Sequence, residues 1–290
     1  MEILSWNIQA AKGVDNIVST ERITSDIRAF SDPDVICLQE ILRTPEHDQV
    51  ADLSQAFPDY ECVFGAAINR LYPSGRLEFG NMILTRLPIL QIAQHKLPQP
   101  AEPEQKHMPR QAIELLLVNQ NEFLRVTTLH LDYFAAGQRS AQVGYLAGHH
   151  QECLARFRSP SPEGGEEQFA SMPETARSIY CGDFNLTVDT DDYKTMLKGG
   201  CNNNTHGNEN QNSASDNASA ESGLIDCWRH VHGSATHDPT CGIFDREQWP
   251  EGPHCRDFFF ASTDVAENVT AMEVETNTAA SDHQPLKIKL

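Results

Sequence analysis

Four short segments of this chain carry groups that could act together on water and a cation. They are Ser5-Trp6-Asn7, Leu38-Gln39-Glu40, Gly182-Asp183-Phe184-Asn185 and Ser281-Asp282-His283-Gln284. Each puts an amide, a carboxylate or an imidazole at or just past the end of a short apolar run. Hard oxygen ligands, an orienting amide and a neutral imidazole are the groups needed to activate water beside a divalent cation. Asp183 and Asn185 stand two residues apart after a strand, so their side chains can project the same way, although a plain Asx turn has the same spacing. Glu40 follows the apolar Val35-Ile36-Cys37-Leu38 and can face a cleft or be a solvated loop carboxylate. His130 closes another apolar stretch, as a ligand-facing group or a satisfied core histidine. Arg110, just before a strand, can grip a phosphate in bidentate fashion or form a structural salt bridge.

The elements that must position these groups follow from the apolar periodicity. Residues 2–8 read as a strand, 15–30 as a helix ended by Asp32-Pro33, 35–38 as a buried central strand and 48–57 as a short helix. Strands are expected at 61–67, 81–85, 89–95, 113–118 and 125–131, then a long helix at 138–157. A buried strand at 179–182, a short helix at 191–197, a helical turn at 224–229 and strands at 258–260, 268–274 and 285–290 complete the pattern. Strict βαβ alternation is absent. The pattern therefore predicts an α/β fold of two mixed β-sheets packed face to face, with helices outside. Residues 97–109, with four prolines, residues 159–173, and the asparagine-rich residues 199–222 read as flexible loops. No loop separates two self-sufficient cores, so residues 1–290 are expected to form a single catalytic domain.

Of 290 residues, 22 are basic and 41 acidic, a net charge of −19. Such a surface repels nucleic acid and anionic membranes over roughly 10 Å. That argues against broad, sequence-independent DNA binding while leaving room for a local basic patch. The chain opens directly on a strand pattern without a signal sequence, and no run approaches the roughly 18 apolar residues of a membrane span. The eight cysteines are scattered without a CxxC, which suits a reduced cytoplasmic protein; a Cys241–Cys255 bridge stays open. His230, His232, His237 and His254 match no structural zinc spacing, and His150 falls on the apolar stripe of the long helix. Phe244 and Trp249 lie in a loop, where they either pack or stack on a base or lipid headgroup.

The segments named above, with Gly80-Asn81-Met82-Ile83-Leu84-Thr85-Arg86 and Thr128-Leu129-His130-Leu131, occur in an order that resembles the motifs of the endonuclease/exonuclease/phosphatase superfamily. The resemblance runs from residue 5 to residue 283, and it is specific for the superfamily but not within it. It implies a DNase-I-like four-layer α/β sandwich that hydrolyses phosphoesters with Mg²⁺, for which Mn²⁺ can substitute. It assigns Glu40 to the metal, with Asn7 and Asp282 completing the shell. Asp183 and Asn185 would orient the attacking water and bind the scissile phosphate. His283 would be the general base, its ordinary pKa near 6.5 leaving it mostly neutral at pH 7. Asp257 would hold that imidazole, although Arg256 stands where the family has an aliphatic residue. His130 would bond a phosphate oxygen or assist the leaving group, with Glu78 orienting it. A phosphodiesterase acting on nucleic acid or a nucleotide is the first expectation. A phosphoesterase for a small or lipid-derived ester, as in sphingomyelinase- or phosphatase-like members, is the second. A non-catalytic binding member is the third, although such proteins lose one of the site groups and here all are kept. No obligate protein partner is implied.

Overall fold

The computed structural model describes residues 1–199, apart from 163, 165, 167 and 169, and residues 223–290. The expected flexible stretch at 199–222 lies almost wholly outside the described residues. Residues 97–109 form no helix or strand.

One sheet contains β1 (Glu2–Asn7), β2 (Val35–Arg43), β3 (Glu61–Tyr72), β4 (Gly75–Thr85), β11 (Ala271–Val274) and β12 (Leu286–Lys289), in the order β11-β12-β1-β2-β4-β3. The other contains β5 (Ile89–Lys96), β6 (Gln111–Asn119), β7 (Glu122–His130), β8 (Ser178–Asp183), β9 (Leu224–Asp226) and β10 (Asp257–Ser262), in the order β5-β6-β7-β8-β10-β9. Each sheet has one parallel pair near its middle, β1 with β2 and β7 with β8, among antiparallel neighbours. Both sheets are therefore mixed, as the sequence pattern implied.

Alternation along the central strands explains the layering. Val35 and Cys37 point between the sheets, where they meet Ile113, Leu115, Val126, Ile179 and Cys181. Ile36 and Leu38 point outward beneath α1 (Thr20–Phe30) and α2 (Gln49–Ala56), against Ile23, Ile27 and Leu53. On the far side, Leu129, Tyr180, Phe258 and Phe260 of the second sheet pack under α3 (Ala136–Arg158) and α4 (Asp191–Lys198). A strand buried on both faces needs a continuous apolar run, and Val35 to Leu38 is one. The helix starts have chemical reasons: Ser19 accepts the Arg22 amide, Asp48 that of Ala51 and Thr190 that of Tyr193. That Ser19 cap moves the first helix from its expected start at residue 15 to Thr20. The helical turn expected at 224–229 is instead strand β9 followed by a short helix, α5 (Cys227–His232); a further short helix, α6 (Thr263–Ala266), precedes β11, which starts at Ala271 rather than at 268.

Among the described residues, no helix is long and apolar enough to cross a membrane. Cys241 and Cys255 are both free thiols, so the bridge left open by the sequence is not formed.

Candidate active site

The site gathers at one end of the sandwich because strand register places its members side by side. Asp183 ends β8, and its register partners are His130 at the end of β7 and Asp257 at the start of β10. Asn7 ends β1 opposite Gln39 of β2, one residue before Glu40. Asp282 and His283 arrive on the segment leading into β12, and the Trp6 indole N–H donates to the His283 carbonyl at 2.9 Å. The Ser281 hydroxyl donates to the Asn7 carbonyl at 2.8 Å and fixes this segment to β1. Gln39 ties the two sheets behind the site, donating to the Thr128 hydroxyl at 2.8 Å. It is fully buried, and the apolar context of Leu38-Gln39 was the only sequence signal for such a role.

Two of these residues sit in left-handed backbone. Glu40 has φ 61°, at the point where the β2–β4 register slips between Leu38 and Ile41, so a bulge turns its carboxylate toward the cleft. Asn185 has φ 51°. Such conformations cost free energy in a non-glycine residue and persist where the surroundings impose them. Gly182 has φ 136°, and a Cβ there would collide with the Leu129 backbone of β7. Only glycine lets β8 approach β7 this closely just before Asp183.

Asp183 is the hub. Its Oδ2 accepts the Asn7 Nδ2 at 3.0 Å and lies 3.4 Å from His130 Nε2 and 3.6 Å from His283 Nε2. Its Oδ1 accepts the Asn185 backbone amide at 2.9 Å, and the Asn185 side chain donates to the Leu131 carbonyl at 3.0 Å. His283 Nδ1 lies 2.8 Å from Asp257 Oδ2, in a fully buried pair. Asp257 Oδ1 has no hydrogen-bond partner among the described residues.

The electrostatics follow from crowding carboxylates in a dry place. Burial pushes Glu40 up to about 7, the nearby Asp282 charge adds to the effect, and the bond from Asn7 only partly opposes it. Burial also raises Asp183, against the pull of His283. Burial drives His130 well below the ordinary imidazole value, and the Arg110 and His283 charges push it further down, so His130 is neutral. For His283 burial acts downward, but Asp257, Asp183 and Asp282 outweigh it and hold the imidazole well above its ordinary pKa. That corrects the sequence argument, which took His283 as neutral from its ordinary pKa. With only protein charges around it, His283 carries a proton, and a further cation among the same carboxylates would weaken its hold on that proton.

Arg110 is buried, 3.7 Å from Asp132 Oδ2, and its Nε and one terminal nitrogen have no hydrogen-bond partner among the described residues. Asp132 is a site residue that sequence reasoning missed. Its Oδ1 accepts the Phe134 and Ala135 amides at 3.0 and 2.7 Å, the ordinary pattern of a turn-forming Asp, so nothing local set it apart. Glu78 does not orient His130. Its carboxylate accepts from Asn69 at 2.8 Å and from Arg43 at 3.3 Å, on the β2–β4–β3 ladder, whereas the carboxylates beside His130 are Asp183 and Glu40. Asn7 also differs from expectation in its orientation. Its amide nitrogen, not its oxygen, faces Glu40 at 3.1 Å, while the oxygen accepts the Gln9 amide.

Trp249 is buried rather than exposed; its ring lies edge-on to His283, with centroids 5.7 Å apart. Arg256, the departure from the family pattern, lies over Trp249 at 5.1 Å and donates to the Asn185 carbonyl at 3.2 Å. It braces the floor from behind, which explains why a charged residue is accommodated there. Phe244 remains half-exposed on the wall. The site opens into a cavity of about 870 Å³ whose walls include Lys12, Tyr133, Phe134, Phe244 and Arg246.

The sequence profile of the Endonuclease/Exonuclease/phosphatase family matches residues 4–283, so the chain belongs to that family. Its fold is the DNase-I-like one of solved family members. An endonuclease/exonuclease/phosphatase protein of Beutenbergia cavernae aligns over 99% of this chain and 70% of its own, with 22% identity and a TM-score of 0.65. A mannosyl-6-phosphatase of Bacteroides thetaiotaomicron aligns over 100% of this chain and 98% of its own, with 17% identity and a TM-score of 0.65. A 3′ phosphatase from Neisseria, solved with a product DNA hairpin, aligns over 100% and 98%, with 17% identity and a TM-score of 0.61. No curated protein sequence matches the chain.

Proposed function

We propose that residues 1–290 act as one catalytic domain that hydrolyses a phosphodiester by in-line attack of water. The observation that carries this reading is the His283–Asp257 pair, with its Nε2 facing Asp183 at 3.6 Å and, in the same cleft, Arg110, whose Nε and one terminal nitrogen have no hydrogen-bond partner among the described residues. In this reading Asp257 fixes His283 Nδ1 as the donor, so Nε2 is the nitrogen that takes the water proton. Asp183 and Asn185 orient that water. Arg110 and neutral His130 hold the phosphate oxygens and stabilise charge as it builds on them.

The donor set fits a hard divalent cation. Buried Asp183, Asp257 and Asp282 and the partly exposed Glu40 outnumber the cationic groups beside them, desolvation and the Asp282 charge hold Glu40 at about 7, and Asp257 Oδ1 has no partner among the described residues. Glu40 and Asp282 would hold Mg²⁺, or Mn²⁺ in its place, with Asn7 joining once its amide turns over; Asp183, Asp257 and His283 also present ligand atoms within 4.8 Å of one another. Such an ion supplies charge neutralisation at the phosphoryl group.

The substrate preference we infer is a diester of nucleotide type, since the wall offers Phe134 and Phe244 as stacking faces and Lys12 and Arg246 as cations. The second reading, a small or lipid-derived phosphoester, is favoured by the net charge of −19. Incubation with plasmid DNA, RNA, bis-nitrophenyl phosphate and a nitrophenyl monoester, each with Mg²⁺ or Mn²⁺, separates them. Cleavage of the diester with DNA and RNA left intact rejects the nuclease reading, and turnover of the monoester alone rejects the diesterase reading.

A further inference from the structure

A second group of ligand-type side chains lies outside the active site, on the outer face of the second sheet beneath α3. His95 of β5 and Glu114 of β6 project from the same face, because Ala93 pairs with Glu114 and His95 follows two residues later. His149 and Cys153 lie one turn apart on α3, so both can point at that patch. His149 Nε2 is 2.8 Å from Glu114 Oε2 and 3.6 Å from Cys153 Sγ. Ligand atoms of His95, Glu114 and His149 all lie within 4.8 Å of one another. A tetrahedral zinc with ordinary bond lengths spaces its nitrogen, oxygen and sulfur ligands by about 3.3–3.6 Å. His95, Glu114 and His149 are therefore within side-chain adjustment of coordination geometry, and Cys153 reaches them through its contact with His149.

Two further observations point to a ligand rather than a plain ion pair. His95 Nε2 is out of water contact and has no hydrogen-bond partner among the described residues, while its Nδ1 meets the Tyr145 hydroxyl at 3.1 Å. That is the arrangement of a metal-binding imidazole, one nitrogen open and the other held by an outer partner. The remaining groups have outer partners too: Arg125 donates to Glu114 Oε1 at 3.0 Å, Glu114 Oε2 faces His149 and accepts the Thr127 hydroxyl at 3.4 Å, and Arg156 donates to Cys153 Sγ at 3.2 Å.

We propose that His95, Glu114, His149 and Cys153 form a structural zinc site that clamps α3 to the edge strand β5. The two imidazoles, one carboxylate and one thiolate suit Zn²⁺ and not Mg²⁺. On binding, zinc replaces the proton shared by His149 and Glu114 and the thiol proton of Cys153, so two protons leave as two positive charges enter. The site is independent of the catalytic reading above.

The test is zinc and cobalt(II) binding by the full chain after chelation and dialysis, in wild type, His95→Gln, Cys153→Ser and Asp183→Asn. His95 is half-buried on an edge strand, so its variant should keep a cooperative melt by circular dichroism, and Cys153→Ser provides an isosteric second probe. The expected result is one zinc per chain fewer in His95→Gln than in wild type, with the thiolate-linked cobalt site kept in Asp183→Asn. Zinc at a hundredfold excess over its dissociation constant should raise the wild-type melting temperature by about 5 °C, with no rise in His95→Gln. Cobalt-loaded wild type should show thiolate-to-cobalt charge-transfer absorption that Cys153→Ser lacks. Zinc lost in Asp183→Asn but kept in His95→Gln would overturn the proposal, as would a cobalt spectrum without the thiolate band.

Discussion

Replacing Asp257 with asparagine changes one charge at almost constant volume, and it tests the pair on which the proton transfer rests. Asp257 Oδ2 lies 2.8 Å from His283 Nδ1, both side chains are buried, and no other partner competes for that nitrogen among the described residues. A carboxylate in such contact raises an imidazole pKa by about 1–3 units, or about 1.4–4 kcal/mol in favour of the protonated ring. Asparagine removes that term, so His283 becomes a weaker base. Its amide group can also donate to Nδ1, which would leave the proton on Nε2, the nitrogen that must accept one. We expect kcat for bis-nitrophenyl phosphate at saturating Mg²⁺ to fall about 10²–10⁴-fold. The acid limb of the kcat/KM profile, where activity rises as His283 loses its proton, should move down by about 1–3 pH units. A kcat within about twofold of wild type together with an unmoved limb would refute the reasoning, because both effects derive from the same contact.

Other perturbations follow from the same electrostatics. Glu40→Gln should abolish activity yet stabilise the metal-free protein. The raised pKa of Glu40 means that its stability contribution is present below the ordinary 4.5 and lost as pH rises through about 7, so at pH 8 the wild type bears a cost of about 1–3 kcal/mol that glutamine avoids. Melting in chelator at pH 8 checks this, and a lower Tm for the variant contradicts it. Arg110→Lys keeps the charge but loses the planar fork, so kcat/KM should fall at least tenfold while Tm changes little. An unchanged kcat/KM would make Arg110 a structural partner of Asp132 only. The buried Glu114–His149 pair sets a pH window for stability. Burial opposes both ionisations, but His149 and Arg125 hold Glu114 down to about 2, while Cys153 and Glu114 hold His149 up to about 9. Glu114 then contributes above its ordinary 4.5 and loses this as pH falls toward 2; His149 contributes below its ordinary 6.5 and loses this as pH rises through 9. In chelator, Tm of the wild type should decline from pH 6.5 to 9, and His149→Gln should flatten that decline.

The parts of this molecule that were legible in its sequence are those where one local signal decides. Val35 to Leu38 is apolar without a break because both its faces are buried, and this located a central strand directly. Asn7, Glu40, His130 and Asp183 were visible as polar residues ending such runs, and register then brings them together. The β3–β4 hairpin is longer than the apolar pattern implied, because beyond Ala67 β3 is largely exposed and its apolar Ile68, Leu71 and Tyr72 do not alternate with polar residues. Glu78 was misplaced for the same reason: its position before Phe79-Gly80 says nothing of Arg43 and Asn69 on neighbouring strands. Trp249 looked like a loop aromatic, yet its burial against His283 depends on a contact across 34 positions of chain. The protonation of His283 could not be read from residue type, since three carboxylates from separate segments set it. The His95–Glu114–His149–Cys153 group likewise has no sequence spacing to announce it, because it forms only when α3 settles across β5 and β6.

The central claim is that this cleft hydrolyses a phosphodiester with a divalent cation and His283. The most direct measurement is the rate of bis-nitrophenyl phosphate hydrolysis by wild type and His283→Ala, after chelation and after Mg²⁺ or Mn²⁺ is restored. We predict hydrolysis by wild type that is lost on chelation and regained with the metal, and a His283→Ala rate lower by about 10²–10⁴-fold. Undiminished hydrolysis in chelator, or a wild-type rate in His283→Ala, would contradict the account.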